Sequence, residues 1–203
     1  VGVGERAFKI AYPISRYLLA MTWQPELCFE QHDSFPGCLP GEKSLKPLTL
    51  HGLWPQNYDG TYPTACSNES FSFDDVLAAI PLKELEESWP NVKEDKRAAE
   101  YESFWEHEWS KHGTCTTLSQ GMYFKTAVKM LEAVGTPDVM IWSGTGEAER
   151  EDIANFYGGD KMVLLECSHT YISQILLCFD KQEDDCVGDQ IKCPEALLEK
   201  DNC

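Results

Sequence analysis

Two short segments concentrate the reactive side chains: Leu50-His51-Gly52-Leu53-Trp54-Pro55, and the stretch from Phe104 to Cys115 that carries His107, Glu108, Lys111 and His112. Three of the chain's five histidines fall within them. If the second segment is helical, at about 100° per residue Lys111 lies about 40° from His107, Glu108 about 100° and His112 about 140°. Phe104 falls inside the same arc, while Trp105 and Trp109 fall beyond it, on a side suited to burial. Ser103, Glu106 and Ser110 take the remaining, solvent side. The helix therefore divides into an anchoring face, a wet face and a reactive face with one aromatic in it.

Two histidines that titrate near neutrality can act as base and acid in one displacement, while a lysine and a further histidine neutralise developing negative charge. That set suits phosphoryl transfer without a metal or other cofactor. An RNA chain supplies its own nucleophile, the ribose 2′-hydroxyl, which DNA lacks. A zinc hydrolase is disfavoured, because the helix histidines are five apart rather than four and no two cysteines form a C-x-x-C pair. The bland alternative is a solvated amphipathic helix with ordinary surface histidines; four titratable residues with different functions on one arc weigh against it.

The elements that must hold these segments follow from periodicity. Tyr17 to Trp23 alternates and reads as a strand with one strongly buried face. Gln24-Pro25 ends it, and a loop carrying Cys28 and Cys38 is expected to about Pro47. Leu48 to Trp54 reads as a buried strand interrupted by Gly52 and entering a loop at Pro55, with turn chemistry from Asn57 to Gly60. Helical spacing predicts short helices over Phe73 to Ile80 and Leu82 to Trp89, divided by Pro81. Three more are expected: Arg97 to His112 ended by Gly113, Met122 to Val134, and Glu147 to Tyr157. Met162 to Cys167 and Ile172 to Phe179 read as antiparallel strands joined at Ser-His-Thr. The tail from Asp180 lacks periodicity and is expected to be stapled rather than packed. Strands at both ends of a 203-residue chain that is 42% hydrophobic predict one α+β domain over 1–203, its mainly antiparallel sheet packed against several helices.

Lys plus Arg number 17 against 34 Asp plus Glu, a formal charge of −17 with a pI near 4.6. That balance excludes a DNA-coating or polybasic membrane-binding protein, and no apolar run reaches the roughly 18 residues of a membrane span. It leaves room for a local cationic pocket of His51, His107, Lys111 and His112, so short contacts with a few nucleotides are expected and tight nonspecific RNA binding is not. Self-repulsion vanishes near the pI, which suits an acidic compartment. Nine cysteines point to a disulfide framework formed in an oxidising compartment. The number is odd, and sequence alone does not select the pairing. Val1-Gly-Val-Gly-Glu-Arg is not a signal peptide, so an exported protein would be in its mature form. Asn68-Glu69-Ser70 is an N-glycosylation acceptor.

The two reactive segments resemble the two active-site blocks of the ribonuclease T(2) family, secreted or vesicular acid endoribonucleases, and the resemblance extends over nearly the whole chain. It implies an α+β fold and cleavage of single-stranded RNA, not DNA, to a 2′,3′-cyclic phosphate that is then hydrolysed to a 3′-phosphate, by a monomer with no membrane partner. By the same resemblance His112 is the general base, His51 the acid, Glu108 and Lys111 the stabilisers of the phosphorane, and His107 the phosphate-binding residue. Trp54, Tyr62 and Phe104 resemble aromatics that position a histidine or stack on a base, with core packing as the other reading for Trp54 and Tyr62. The family often has Gln where Thr22 stands and Asp or Asn where Gln56 stands, which bears on base preference. It also implies disulfides Cys28 to Cys38, Cys66 to Cys115, Cys167 to Cys203 and Cys178 to Cys193, leaving Cys186 free, with Cys178 to Cys186 as the alternative. A defence, storage or signalling protein with incidental ribonuclease activity is the competing functional reading.

Overall fold

The computed structural model describes residues 14–31, 34–39, 47–142 and 148–203. Among these, β1 (Arg16–Trp23), β2 (Leu48–Gln56), β3 (Val163–Ser168), β4 (Tyr171–Lys181) and β5 (Val187–Ile191) form one antiparallel sheet. The order is β2-β1-β4-β3, and β5 continues along β4 beyond β3. Eight helices accompany it: α1 (Gln24–Gln31), α2 (Phe73–Leu77), α3 (Leu82–Ser88), α4 (Ser103–Lys111), α5 (Gln120–Val134), α6 (Asp138–Trp142), α7 (Arg150–Phe156) and α8 (Glu195–Leu198). The α+β architecture expected from the order of periodicities is the one observed.

The main core lies on one face of the sheet, where Tyr17, Leu19, Met21, Leu50, Leu53, Ile175 and Leu177 meet Trp89, Trp105, Trp109, Tyr123 and Phe124. Trp105 and Trp109 are fully buried, as the anchoring face of α4 requires, and truncating either to alanine would cost roughly 3–5 kcal/mol. Glu106 and Ser110 stay exposed on the opposite side. Ser119 caps α5 through Met122 N, and Gly135, at φ 68°, ends it in a conformation that glycine adopts without a Cβ penalty.

Several expectations are corrected. Gln24-Pro25 opens α1 rather than a loop, because proline in a first helical turn forfeits no intrahelical bond. Residues 32, 33 and 40–46 of the expected loop lie outside the described residues. Pro55 lies inside β2, tolerated because β2 is an edge strand with no second partner for the missing N–H. The helix expected from Arg97 starts only at Ser103; Asp95 turns the chain through Arg97 N and Ala98 N, and a 3₁₀ turn, Ala99–Glu102, follows. Gly113 is no left-handed stop: a Cβ there would run into the Trp109 ring, so it serves close approach. The last helix of that middle region begins at Arg150, and Glu147, its expected start, is outside the described residues. The tail packs: β5 pairs with β4, and α8 buries Leu197. It covers a second apolar cluster of Leu18, Ala20, Leu164, Leu176 and Cys178, so β1 is buried on both faces rather than one.

Two irregularities in the sheet prepare the site. Ala20 pairs with Gly52 and Met21 with Leu50, which leaves His51 as the extra residue of a β-bulge. Leu50 and Leu53, three positions apart, thereby both face the main core, and His51 is the residue displaced between them. On β4, Gln174 pairs with Glu166 and Ile172 with Cys167, so Ser173 is extra. Ile172 and Ile175 then both pack on the core, and Ser173 and Gln174 line one cleft.

Four disulfides join Cys28 to Cys38, Cys66 to Cys115, Cys167 to Cys203 and Cys178 to Cys193, the pairs implied by the family resemblance. Cys186 is free and exposed. The Cys66–Cys115 bond spans 49 residues and in the chain-entropy picture stabilises by about 4 kcal/mol.

Candidate active site

The bulge of β2 and the reactive face of α4 meet through aromatic side chains. Trp89 Nε1 donates to the His51 carbonyl at 3.0 Å, Trp105 Nε1 to the Trp89 carbonyl at 2.8 Å, and Tyr123 OH to the Leu53 carbonyl at 2.8 Å. Each of these buried polar tips is satisfied by a backbone oxygen near the bulge, so the position of His51 is tied to the core.

Trp54 contacts both catalytic candidates. Its ring lies edge-on to His51 at 5.0 Å and stacks on His112 at 5.3 Å with 28° between planes. Its Nε1 donates to Glu108 Oε2 at 2.9 Å. The half-buried Trp54 ring also packs against the second apolar cluster, the packing reading of the two. Tyr62 is not a core residue: it is 50% exposed, with its ring 6.2 Å from His112. Phe104 sits 5.8 Å from His51 on the other side. Gly52 allows this convergence, because a Cβ there would collide with Glu108 Oε2 and Trp54 Nε1.

A cleft of about 450 Å³ opens beside His51, floored by Thr22, Gln24 and Leu50 and walled by Asn91, Phe104 and His107. Thr22 thus faces the cleft, while Gln56 is buried and does not line it. The arc predicted for α4 divides as its angles require: His107 is exposed at the cleft, Lys111 is half-buried, and Glu108 and His112 are 1% and 4% exposed. Asn68 is exposed on the loop before α2.

Burial sets the protonation states. It pushes the Glu108 carboxyl up to about 7, against the opposing pull of the Trp54 hydrogen bond and Lys111. It also pushes His112 down to about 3, helped by Lys111, His107 and His51. His112 Nδ1 is buried without a hydrogen-bond partner among the described residues, so an imidazolium there would lack a compensating acceptor. His51 is lowered by burial, partly offset by its bond to Gln174, and lowered further by Lys111, Lys93 and His107. His107 is lowered by burial and by the two lysines.

Sequence reasoning missed two polar side chains. His51 Nδ1 is 2.7 Å from Gln174 Oε1, and Gln174 Nε2 donates to Glu166 Oε2 at 3.0 Å. The available signal was the polar pair Ser173-Gln174 inside an otherwise apolar strand.

Two histidines that both contact one indole, with a carboxyl and an ammonium on the neighbouring helix, thus meet where β2 packs on α4 in an α+β fold. The sequence profile described as "Ribonuclease T2 family" matches residues 14–193, and the chain belongs to that family. It is 29% identical over 194 residues to Ribonuclease 1 of Arabidopsis thaliana, covering 88% of this chain and 79% of the relative. With Ribonuclease DdI of Dictyostelium discoideum it shares 31% over 179 residues, covering 81% and 73%. A crystal structure of an RNase MC1 variant in complex with 5′-GMP superposes with a TM-score of 0.67 at 29% identity, covering 89% of this chain and 94% of that one. The chain is an endoribonuclease of the T2 type.

Proposed function

We propose that the chain cleaves single-stranded RNA by transphosphorylation, with His112 as general base and His51 as general acid. The contact of both imidazoles with the one Trp54 ring, at 5.0 and 5.3 Å, carries this reading. His112, neutral at mildly acid pH, takes the 2′-hydroxyl proton; the 2′-oxygen bonds to phosphorus; the P–O5′ bond breaks as His51 protonates the leaving oxygen. In the second step the roles reverse: His51 takes a proton from water, whose oxygen bonds to phosphorus, and the P–O2′ bond breaks as His112 returns a proton to the 2′-oxygen, leaving a 3′-phosphate.

Glu108 is protonated below about pH 7. Because its Oε2 accepts from Trp54, the Oε1 hydroxyl is free to donate to a phosphorane oxygen, while Lys111 and His107 meet the remaining negative charge. Phe104 stacks the base held in the cleft beside His51, and Tyr62 stacks a base on the His112 side. The four disulfides support an exported or vesicular, oxidising setting.

Digestion of a short mixed-sequence RNA and its DNA equivalent in EDTA tests the reading. Cleavage of RNA alone, with 2′,3′-cyclic ends appearing before 3′-phosphates, is expected. His51→Ala and His112→Ala should each lose at least a hundredfold in kcat, a typical share for a general acid or base, and full activity in either variant would sink the mechanism.

A further inference from the structure

The His51 ring is held by a two-step chain of side chains that crosses the sheet. His51 belongs to β2, Gln174 to β4 and Glu166 to β3, so the chain passes over the central strand β1, where Thr22 lies directly opposite Gln174. Thr22 is too short to reach the ring, and the bulge at Ser173 is what aims Gln174 into the cleft. An amide has distinct ends: its NH₂ donates and its oxygen accepts. Glu166 Oε2 takes the NH₂ at 3.0 Å, which turns the Gln174 oxygen toward His51 Nδ1 at 2.7 Å. An accepting oxygen at that distance requires Nδ1 to carry a proton.

We propose that Gln174, oriented by Glu166, is the positioning residue that fixes the Nδ1–H tautomer of His51 and directs its Nε2 at the leaving 5′-oxygen. This rests on the reading of His51 as the general acid. The imidazolium keeps Nδ1–H on Gln174 while it gives up the Nε2 proton. The neutral ring left behind is then already the tautomer whose bare Nε2 takes a proton from water in the hydrolytic step. No ring flip or tautomer exchange intervenes between the two steps. Ser173 Oγ, bonded to the Glu166 carbonyl at 2.9 Å, fixes the bulge that carries the amide. The other charged or titratable groups near His51 are Lys111, His107, Glu108 and His112 from the α4 side, Lys93 and Glu94 from the loop before it, and Glu30 of α1 across the cleft. Gln174 is uncharged, so it orders the ring without adding to that field.

The experiment combines ¹⁵N NMR of the ring nitrogens with kinetics on a dinucleotide. In the native protein at pH 8 the neutral His51 ring should be protonated at Nδ1. Gln174→Leu should mix the tautomers and lower kcat on the order of tenfold, the worth of one hydrogen bond of about 1.4 kcal/mol, with KM unchanged. Gln174→Glu combined with Glu166→Gln, which exchanges the amide and the carboxylate and keeps an N–H donor between them, should keep the tautomer and move the alkaline limb of the pH profile up by about one unit, because a carboxylate beside the ring favours the imidazolium. Glu166→Leu should loosen the tautomer preference in the same direction as Gln174→Leu. A native ring protonated at Nε2, or a Gln174→Leu protein with unchanged tautomer and kcat, would overturn the proposal. The tautomer is read without turnover, so it stands or falls separately from the activity of His51→Ala, which tests the acid assignment itself.

Discussion

His112 and Glu108 show one physical cause, burial, acting with opposite sign on a base and an acid. On the proposed roles His112 must be neutral, which holds above about 3, and His51 must be charged, which holds only below a pKa that lies under the usual 6.5. The pH dependence of kcat/KM should therefore be a bell wholly on the acid side, and an optimum above pH 7 would contradict the assigned roles. Glu108 carries a stability cost with a definite sign. Its folded-state pKa is raised to about 7 from 4.5, so the stability it contributes is full below about pH 4.5 and is lost as pH rises toward 7, on the order of 3 kcal/mol in all. Glu108→Gln cannot ionise and escapes that loss. Thermal melts should show the variant close to native at pH 4 but roughly 8 °C more stable at pH 8, while its kcat falls at both.

At the scale of elements, the site depends on where β2 departs from regular alternation. Gly52 follows the bulged His51 and leaves the space that Glu108 and Trp54 share. Gly52→Ala should retain the far-UV spectrum of the native protein yet lose at least tenfold in kcat, because the carboxyl and the indole must both move. Native kcat in that variant would show that their contact is dispensable. The arc on α4 was legible in the sequence because a 3.6-residue period fixes the angles between His107, Glu108, Lys111 and His112 before any tertiary contact exists. The bulges were not legible, since an extra residue is defined only against a partner strand. Gln174 and Glu166 were missed for the same reason: their bonds to one another and to His51 join three strands distant in sequence. The strand in the tail escaped notice because Val187 to Ile191 is short and its pairing is supplied by β4.

For the whole molecule, the net charge is anionic, and the local cationic pocket expected of His51, His107, Lys111 and His112 is weaker than expected, because burial keeps His112 neutral above about 3 and lowers His51 and His107. A net charge of −17 predicts that affinity for RNA comes from a few nucleotides in the cleft and around Tyr62. KM should accordingly change little when the substrate is lengthened well beyond those nucleotides at fixed salt; a steady fall in KM with length would mean an extended phosphate-binding track. The disulfides are the other global constraint. Cys66→Ser with Cys115→Ser should lower the melting temperature on the order of 10 °C, from the roughly 4 kcal/mol of lost loop constraint.

That bond also has a direction. Cys115 follows directly on the reactive helix, and Cys66 belongs to the loop that carries Tyr62. Besides the sulfur bridge, Ala65 N to the Lys111 carbonyl and Cys66 N to Thr114 Oγ1 tether that loop. The cleft beside His51 is fastened differently, through Trp89 and Tyr123, and contains none of the eight bridged cysteines. Removing the Cys66–Cys115 bond alone should therefore loosen the bank that carries Tyr62 and leave the cleft beside His51 in place, whereas full reduction also opens Cys28–Cys38, which packs with the cleft residues Leu27 and Val92.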